Sequence, residues 1–510
     1  MLTIGLDVGT TGLKGLLVDR DGRIVAETTE AYAPDTPHPG WSQQDPDVWW
    51  RAAQAVCRTL AARGRPEALG LSGQMHGSVF LDASGRSVSP AILWNDQRTA
   101  AECDEIVART GGRIVEWTLN PPRTAFTASK ILWLRNHAPE AWARTATVLL
   151  PKDHVRFRLT GARITDVTDA SGTNLLDVRA RRWSADTLEA LEIPRSWLPD
   201  LVESAEEGGR LGAEAARLTD LPEGLVVVGG GADQAAAAIG NGVAEPGILS
   251  ITLGTSGVVY AQLPGVTLDP SGAFHTFCHS VAGTWQMMAG VLSAAGSLQW
   301  WRETGGAADA DAAEAKGGSG FGAIVEAAAA IPPGSGGLVF LPYLTGERSP
   351  HNDPEARGAF IGLTRRTTRA HMARAVMEGV AFALRDLVEI IAGLGIAVRE
   401  IRVAGGGARG GLWLSILASV LGRPVVATTT PDASAYGAAM LAMAAASGRP
   451  VEELARAWVR TGAPVLPDPA ARDTYDATYA VYRALYPATR EAAHRLGGIE
   501  RATHAVENAA

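Results

Sequence analysis

The chain has 510 residues, 46% of them hydrophobic, which is too long for one typical core and amply apolar for two. A formal net charge of -8, with no basic stripe alternating with aromatics, argues against a nucleic-acid or anionic-membrane surface. Cys57, Cys103 and Cys278 are scattered without CxxC spacing, and neither a basic leader nor a membrane-length apolar run is present, so reduced thiols, no zinc site and a cytoplasmic location are expected.

Residues 2–8 alternate as a strand, Gly9-Thr10-Thr11-Gly12 turns the chain, residues 15–19 resume as strand, and Asp21-Gly22 predicts a hairpin into a third strand over 24–28. A Gly/Thr turn offers backbone N–H groups and hydroxyls to an anion, and Lys14 stands beside it as a compact cation. Asp7, at the end of the first strand, faces the same point and is a candidate for holding magnesium through water. A hairpin that simply needs glycine is the competing reading. WSQQDPDVWW, ending at Trp50, could stack on a sugar, although Trp49 and Trp50 open a helix and one of them reads as core. Met75 and His76 read on spacing alone as core residues, and Arg98 and Glu102 read equally as sugar-closing or as surface charge.

The stretch 225–242, LVVVGGGADQAAAAIGNG, holds a β-branched strand, a glycine turn and an Ala-rich helix. Asp233 therefore falls at a helix N-terminus, where partial positive charge favours the carboxylate and small neighbours leave room for a ligand. That suits a base taking a proton from a hydroxyl; an N-cap is the plain alternative. Residues 247–262 repeat strand, turn and strand, with Gly254-Thr255-Ser256-Gly257 echoing the first turn, which predicts two similar lobes. His275 and His279 are four apart, but FHTFCHS alternates as a strand, which keeps them too far apart to share a metal. Residues 305–330 predict a surface helix and loop. Gly405-Gly406-Gly407 links a strand over 401–404 to a helix over 412–421 and would permit close approach of a nucleotide. Residues 432–444 form a second Asp-opened, small-residue helix, predicted to cross the first tightly between lobes. The tail from 451 is predicted helical, with Tyr475, Tyr479 and Tyr482 packed on the second lobe.

Phosphate hairpin, linking helix, phosphate hairpin, nucleotide turn and second linking helix, in that order, resemble the actin-like ATPases: an α/β chain of two ribonuclease-H-like lobes with an ATP/sugar cleft between them. GAFIGLTRRTTRAHMARAVME at 358–378 resembles the C-terminal signature of the FGGY carbohydrate kinases, and FTASKILW at 126–133 the N-terminal one. Within that family HPGWSQQDPDVWW from His38, SGQMHG from Ser72, AILWNDQR from Ala91, LLPKDHVRFRLTG from Leu149, FHTFCHS from Phe274 and LPYLTGERSPHNDP from Leu341 are similar to members acting on xylulose. The resemblance covers nearly the whole chain.

It implies an N-terminal lobe over 1–243, holding the sugar site, first phosphate hairpin and catalytic aspartate, and a C-terminal lobe over 244–510, holding the second hairpin, adenosine site and helical tail. Asp233 matches the general base; Met75, His76, Asp233 and Gln234 match the sugar contacts. Thr10, Thr11, Gly12, Lys14, Gly254 and Thr255 fall at the ATP phosphates, Gly406 and Gly407 at adenosine, and Asp7 at the magnesium ion. The implied reaction is ATP-dependent phosphorylation of D-xylulose at its 5-hydroxyl. Ribulose, arabinitol or a similar sugar is the alternative, and an ATP-driven switch of the actin or chaperone type the second. The implied partners are the sugar and ATP, with neither nucleic acid nor membrane, and a homodimer is the candidate assembly. Three departures stand out: Gln234 where some relatives carry Asn, Ser129 where proline often precedes Lys130, and Gly410-Gly411 after GGGAR.

Overall fold

The computed structural model describes residues 1–507. Strands β1 (Leu2–Val8), β2 (Gly12–Asp19) and β3 (Ile24–Ala31) form the opening meander, and Gly22 takes the left-handed backbone that its tight turn requires. Helix α1 (Pro46–Ala61) starts where Asp45 accepts the Asp47 amide, and it leads to β4 (Ala68–Gly73). After α2 (Thr127–His137) and α3 (Pro151–Thr160) come β5 (Glu207–Arg210), β6 (Val226–Val228), β7 (Gly231–Ala232) and helix α4 (Asp233–Gly240). The second half holds β8 (Ile248–Leu253), β9 (Gly257–Leu263), β10 (His275–Cys278), β11 (Trp285–Val291), α5 (Arg369–Gly393), β12 (Glu400–Ala404), α6 (Gly411–Leu421), β13 (Val425–Ala427), α7 (Ala433–Ser447), α8 (Val451–Trp458) and α9 (Arg472–Glu507).

Two sheets result, ordered β5-β6-β4-β1-β2-β3, with β7 also on β4, and β10-β11-β9-β8-β12-β13. In each, an antiparallel hairpin opens the unit and a later strand lies parallel to its first strand, β4 on β1 and β12 on β8. Trp49, Val56 and Leu60 of α1 cover one face of the first sheet, while the second packs on α5 and α6. A separate apolar cluster, including Phe80, Ile131, Leu175 and Leu191, supports the region between β4 and β5.

The small-residue helices cross with backbones in contact. A side chain on Gly437 of α7 would overlap the Ala236 carbonyl of α4, and one on Gly240 would overlap the Ala433 carbonyl. Helix α7 also lies across the first sheet, where Gly5 and Gly70 face its Ala435 and Ala438 carbonyls. In return, Ala238 in α4 and Val243 just beyond it pack with Tyr260 of the second sheet. Trp458, at the end of α8, sits on Gly22, so this part of the tail covers the first lobe; Val465 beyond it bridges to Val425 of β13, and α9 packs on the second lobe, with Tyr475, Tyr479 and Tyr482 around Phe382. The segment expected as one helix and a loop forms two helices, Ala307–Glu314 and Gly320–Ala329, because Ala310, Ile324 and Ala328 find the second core. Among the described residues no helix is long and apolar enough to cross a membrane.

Candidate active site

Parallel strands β1, β4 and β7 end in register, Val8 beside Gly73 and Gly73 beside Ala232. The residues at and just beyond those ends therefore meet at one place, the usual site of ligand capture in such sheets. From β1 come Asp7 and the Gly9–Gly12 turn; from β4, Gln74, Met75 and His76; from β7, Asp233.

Asp233 is the first residue of α4. It is not the N-cap, which is Ala232; its carboxylate accepts the Gln234 amide at 2.7 Å. The strand end beneath it is fixed, because the Thr168 hydroxyl accepts the Ala232 amide at 3.0 Å and donates to Asp166. Burial raises the Asp233 carboxyl to about 6. The group is thus ionised at neutral pH and basic enough to receive a proton.

Asp7 is pushed well above the carboxylate range by burial and by the nearby charges of Asp432 and Asp233, against which Lys14 acts weakly. Its Oδ1 is buried without a hydrogen-bond partner. An uncompensated carboxylate beside two others fits a divalent cation. Among the described residues no three His, Cys, Asp or Glu side chains converge as direct ligands, so such an ion would be held through water and phosphate oxygens.

Just beyond β4, Met75 is buried with Phe126, Ala232, Ala235 and Phe277. His76 has a left-handed backbone, φ 67°, and its Nδ1 lies 2.8 Å from the Gly172 carbonyl oxygen. Its ring centroid is 4.7 Å from that of Phe126. Burial, then the Lys130 charge, lowers the ring to about 3, so it is neutral. A neutral ring facing a carbonyl through Nδ1 carries its proton there, leaving Nε2 as acceptor. Gly172 is required by this fit: a Cβ would lie 2.5 Å from the His76 Nδ1. Gln234 is half-buried beside Asp233.

At the first turn Thr11 is exposed, whereas the Thr10 hydroxyl donates to Gln74 and accepts the Trp94 indole N–H at 3.0 Å. Strand β2 already starts at Gly12, and Lys14, paired opposite Asp7, has its ammonium 3.7 Å from Asp432. Asp432 is spent as the cap of α7, accepting the Ala435 amide at 2.9 Å. In the second lobe Thr255 is exposed and Gly254 half-buried. The parallel pairing of Thr252 with Ala404 sets their turn beside Gly405–Gly407. Gly407 packs on Leu253, while the space beside Gly406 is open.

Several sequence candidates lie elsewhere. Trp49 and Trp50 are both core, and Trp41 is covered by the Arg98 guanidinium, 3.6 Å from the ring centroid. Arg98 is buried against Asp96 at 2.7 Å, and Glu102 is buried against His137, so neither is surface charge. His275 lies in β10 facing Asn120, while His279 bonds to Val243 and Val281. Gln74, Trp94, Phe126, Phe277 and Lys130 join the site unannounced; their only sequence signal is membership of the stretches that carry the resemblance.

Two hairpin lobes, a buried aspartate at the start of a linking helix and a glycine turn beside the second hairpin are the parts of a phosphotransferase of the actin-like type. The chain belongs to the FGGY family of carbohydrate kinases, whose N-terminal domain matches residues 2–240 and C-terminal domain residues 249–446. It is 41% identical over 449 residues to a xylulose kinase of Escherichia coli strain K12, covering 87% of this chain and 90% of that one. It is 36% identical over 501 residues to a xylulose kinase of Lactococcus lactis, covering 97% and 98%. The crystal structure of a xylulose kinase from Rhodospirillum rubrum superposes with a TM-score of 0.90 at 32% identity, over 97% of this chain and all of that one.

Proposed function

We propose that the enzyme transfers the γ-phosphoryl group of Mg-ATP to the 5-hydroxyl of D-xylulose, between lobes that run from 1–243 and 244–510 along the chain. The observation that carries this reading is Asp233, held at about 6 at the strand ends where Asp7, His76 and the first glycine hairpin meet. Similarity to xylulose kinases over almost the full length supports the choice of sugar.

Asp233 accepts the proton of the sugar hydroxyl as that oxygen bonds to the γ-phosphorus and the bond to the ADP oxygen breaks. His76 Nε2 accepts from a second hydroxyl, Met75 forms an apolar wall, and Gln234 offers its amide beside the base. A 2-ketopentose forms its furanose ring through the 5-hydroxyl, so the acceptor is the open-chain ketone. Thr10, Thr11, Gly12, Lys14, Gly254 and Thr255 hold the phosphates, and Gly406 and Gly407 admit the adenosine. Asp7 would hold magnesium through water, and the ion, when bound, would supply neutralisation of phosphate charge. Closure of the lobes excludes water as a competing acceptor.

The test is ADP production from Mg-ATP with D-xylulose, D-ribulose, D-arabinitol and xylitol, each repeated with Asp233→Ala. D-xylulose giving the highest kcat/KM, lost in the mutant, is expected. A higher value with another acceptor overturns the sugar assignment, with Gln234 the first residue to exchange. Turnover that needs no sugar and survives the mutation overturns the kinase reading in favour of an ATP-driven switch.

A further inference from the structure

Lys130 lies in α2 with no exposure, and among the described residues no carboxylate comes within ion-pair distance of it. Its ammonium instead donates to two backbone carbonyls, His76 at 2.8 Å and Ala125 at 2.5 Å. The Thr127 hydroxyl donates to the same His76 carbonyl at 3.2 Å. Two donors thus converge on the one peptide group whose residue has φ 67°. A left-handed conformation in a residue with a side chain is unfavourable and persists only where surrounding contacts over-determine it. A buried ammonium without an ion-pair partner is unfavourable too.

The geometry points to Lys130 as a positioning residue: we propose that it holds the His76 peptide left-handed, and so aims the Nε2 of His76 at a sugar hydroxyl. The inference rests on the reading of His76 as a sugar contact. The ring end of His76 is already fixed by the Gly172 carbonyl at Nδ1, and Lys130 with Thr127 fixes the backbone end. The side chain is then clamped at both ends and has only Nε2 left to offer. Burial also lowers the Lys130 ammonium, to about 7, with Asp96 partly opposing. Amine and ammonium forms both retain N–H donors for the two carbonyls, and the charged form makes the stronger bonds.

The test is a double-mutant cycle read by steady-state kinetics, using the acceptor sugar with the highest turnover in the panel above. Lys130→Met should raise the sugar KM by roughly tenfold or more while the KM for ATP stays within about twofold, the signature of lost sugar binding. In a His76→Gly background the ring is gone and a left-handed backbone is unstrained, so Lys130→Met should add less than about twofold. Thr127→Val, which removes only the second donor, should raise the sugar KM by about two- to fivefold and provides the test if Lys130→Met does not fold. Effects of Lys130→Met and His76→Gly that multiply would overturn the positioning role alone. A sugar KM left unchanged by His76→Gly would overturn the sugar contact and the positioning role with it. An ATP KM that rises as much as the sugar KM in Thr127→Val would assign the cluster to general structure.

Discussion

The two lobes share one plan and divide its uses. Counted from their glycine turns, Asp7 and Lys14 of the first lobe correspond to Thr252 and Val259 of the second. Val259 is fully buried, so the second hairpin repeats the glycine turn without the charges. The linking helices differ in the same sense. Asp233 opens α4 with its carboxylate committed only to the next amide, whereas Asp432 is consumed in capping α7 and facing Lys14. On the proposed mechanism, proton and metal chemistry would gather in one lobe, and the other would offer shape and N–H groups to the nucleotide. A duplicated scaffold need not duplicate its chemistry.

The sharpest way to break this division is at the base. Asp233→Ala should lower kcat by about 10²- to 10⁴-fold with ATP affinity unchanged, measured by single-turnover kinetics and nucleotide titration. The wild-type kcat/KM should fall as pH drops through about 6, because protonated Asp233 cannot accept a proton; a profile flat from pH 5 to 8 would remove Asp233 from that role. Asp7→Asn should weaken Mg-ATP affinity by roughly 10- to 100-fold and leave sugar affinity alone, while Thr252→Ala at the matching position should change either by about twofold at most. Equal losses at both sites would mean that the lobes share the metal work. Gly406→Val fills open space on the nucleotide side and should raise the KM for ATP by about tenfold without moving the sugar KM.

The smallest effect concerns stability. Because the folded-state carboxyl of Asp233 is raised from 3.8 to about 6, the native state binds the proton more tightly than the unfolded chain. Stability contributed by this group is therefore present below pH 4 and lost as pH rises through 6. Asp233→Asn should raise Tm at pH 7.5 by about 1–3 °C, and by less near pH 4, while losing activity.

Much of this arrangement was legible in the sequence. The turns at Gly9 and Gly254, Asp233 opening its helix and the Met75-His76 pair are local patterns whose chemistry travels with their neighbours. What escaped is long-range and often made to backbone. Lys130 reaches the carbonyl of a residue 54 positions away, and nothing in FTASKILW announces that partner. Trp41 and Arg98 find each other only once Asp96 anchors the guanidinium. Helices α7 and α8 are written after the second lobe and pack on the first, because the only signal of that docking is a run of small residues that would suit either sheet.

That last arrangement has a bearing on dissection. A fragment ending at residue 243 would keep the first sheet, yet expose the face of β1 and β4 that Ala435, Ala439 and Met440 normally cover. The complementary fragment would carry α7 with nothing to lie on. Neither half is then expected to fold as a self-sufficient unit, and the two expressed together would be expected to find one another and restore the cleft, as complementing pieces of one enzyme.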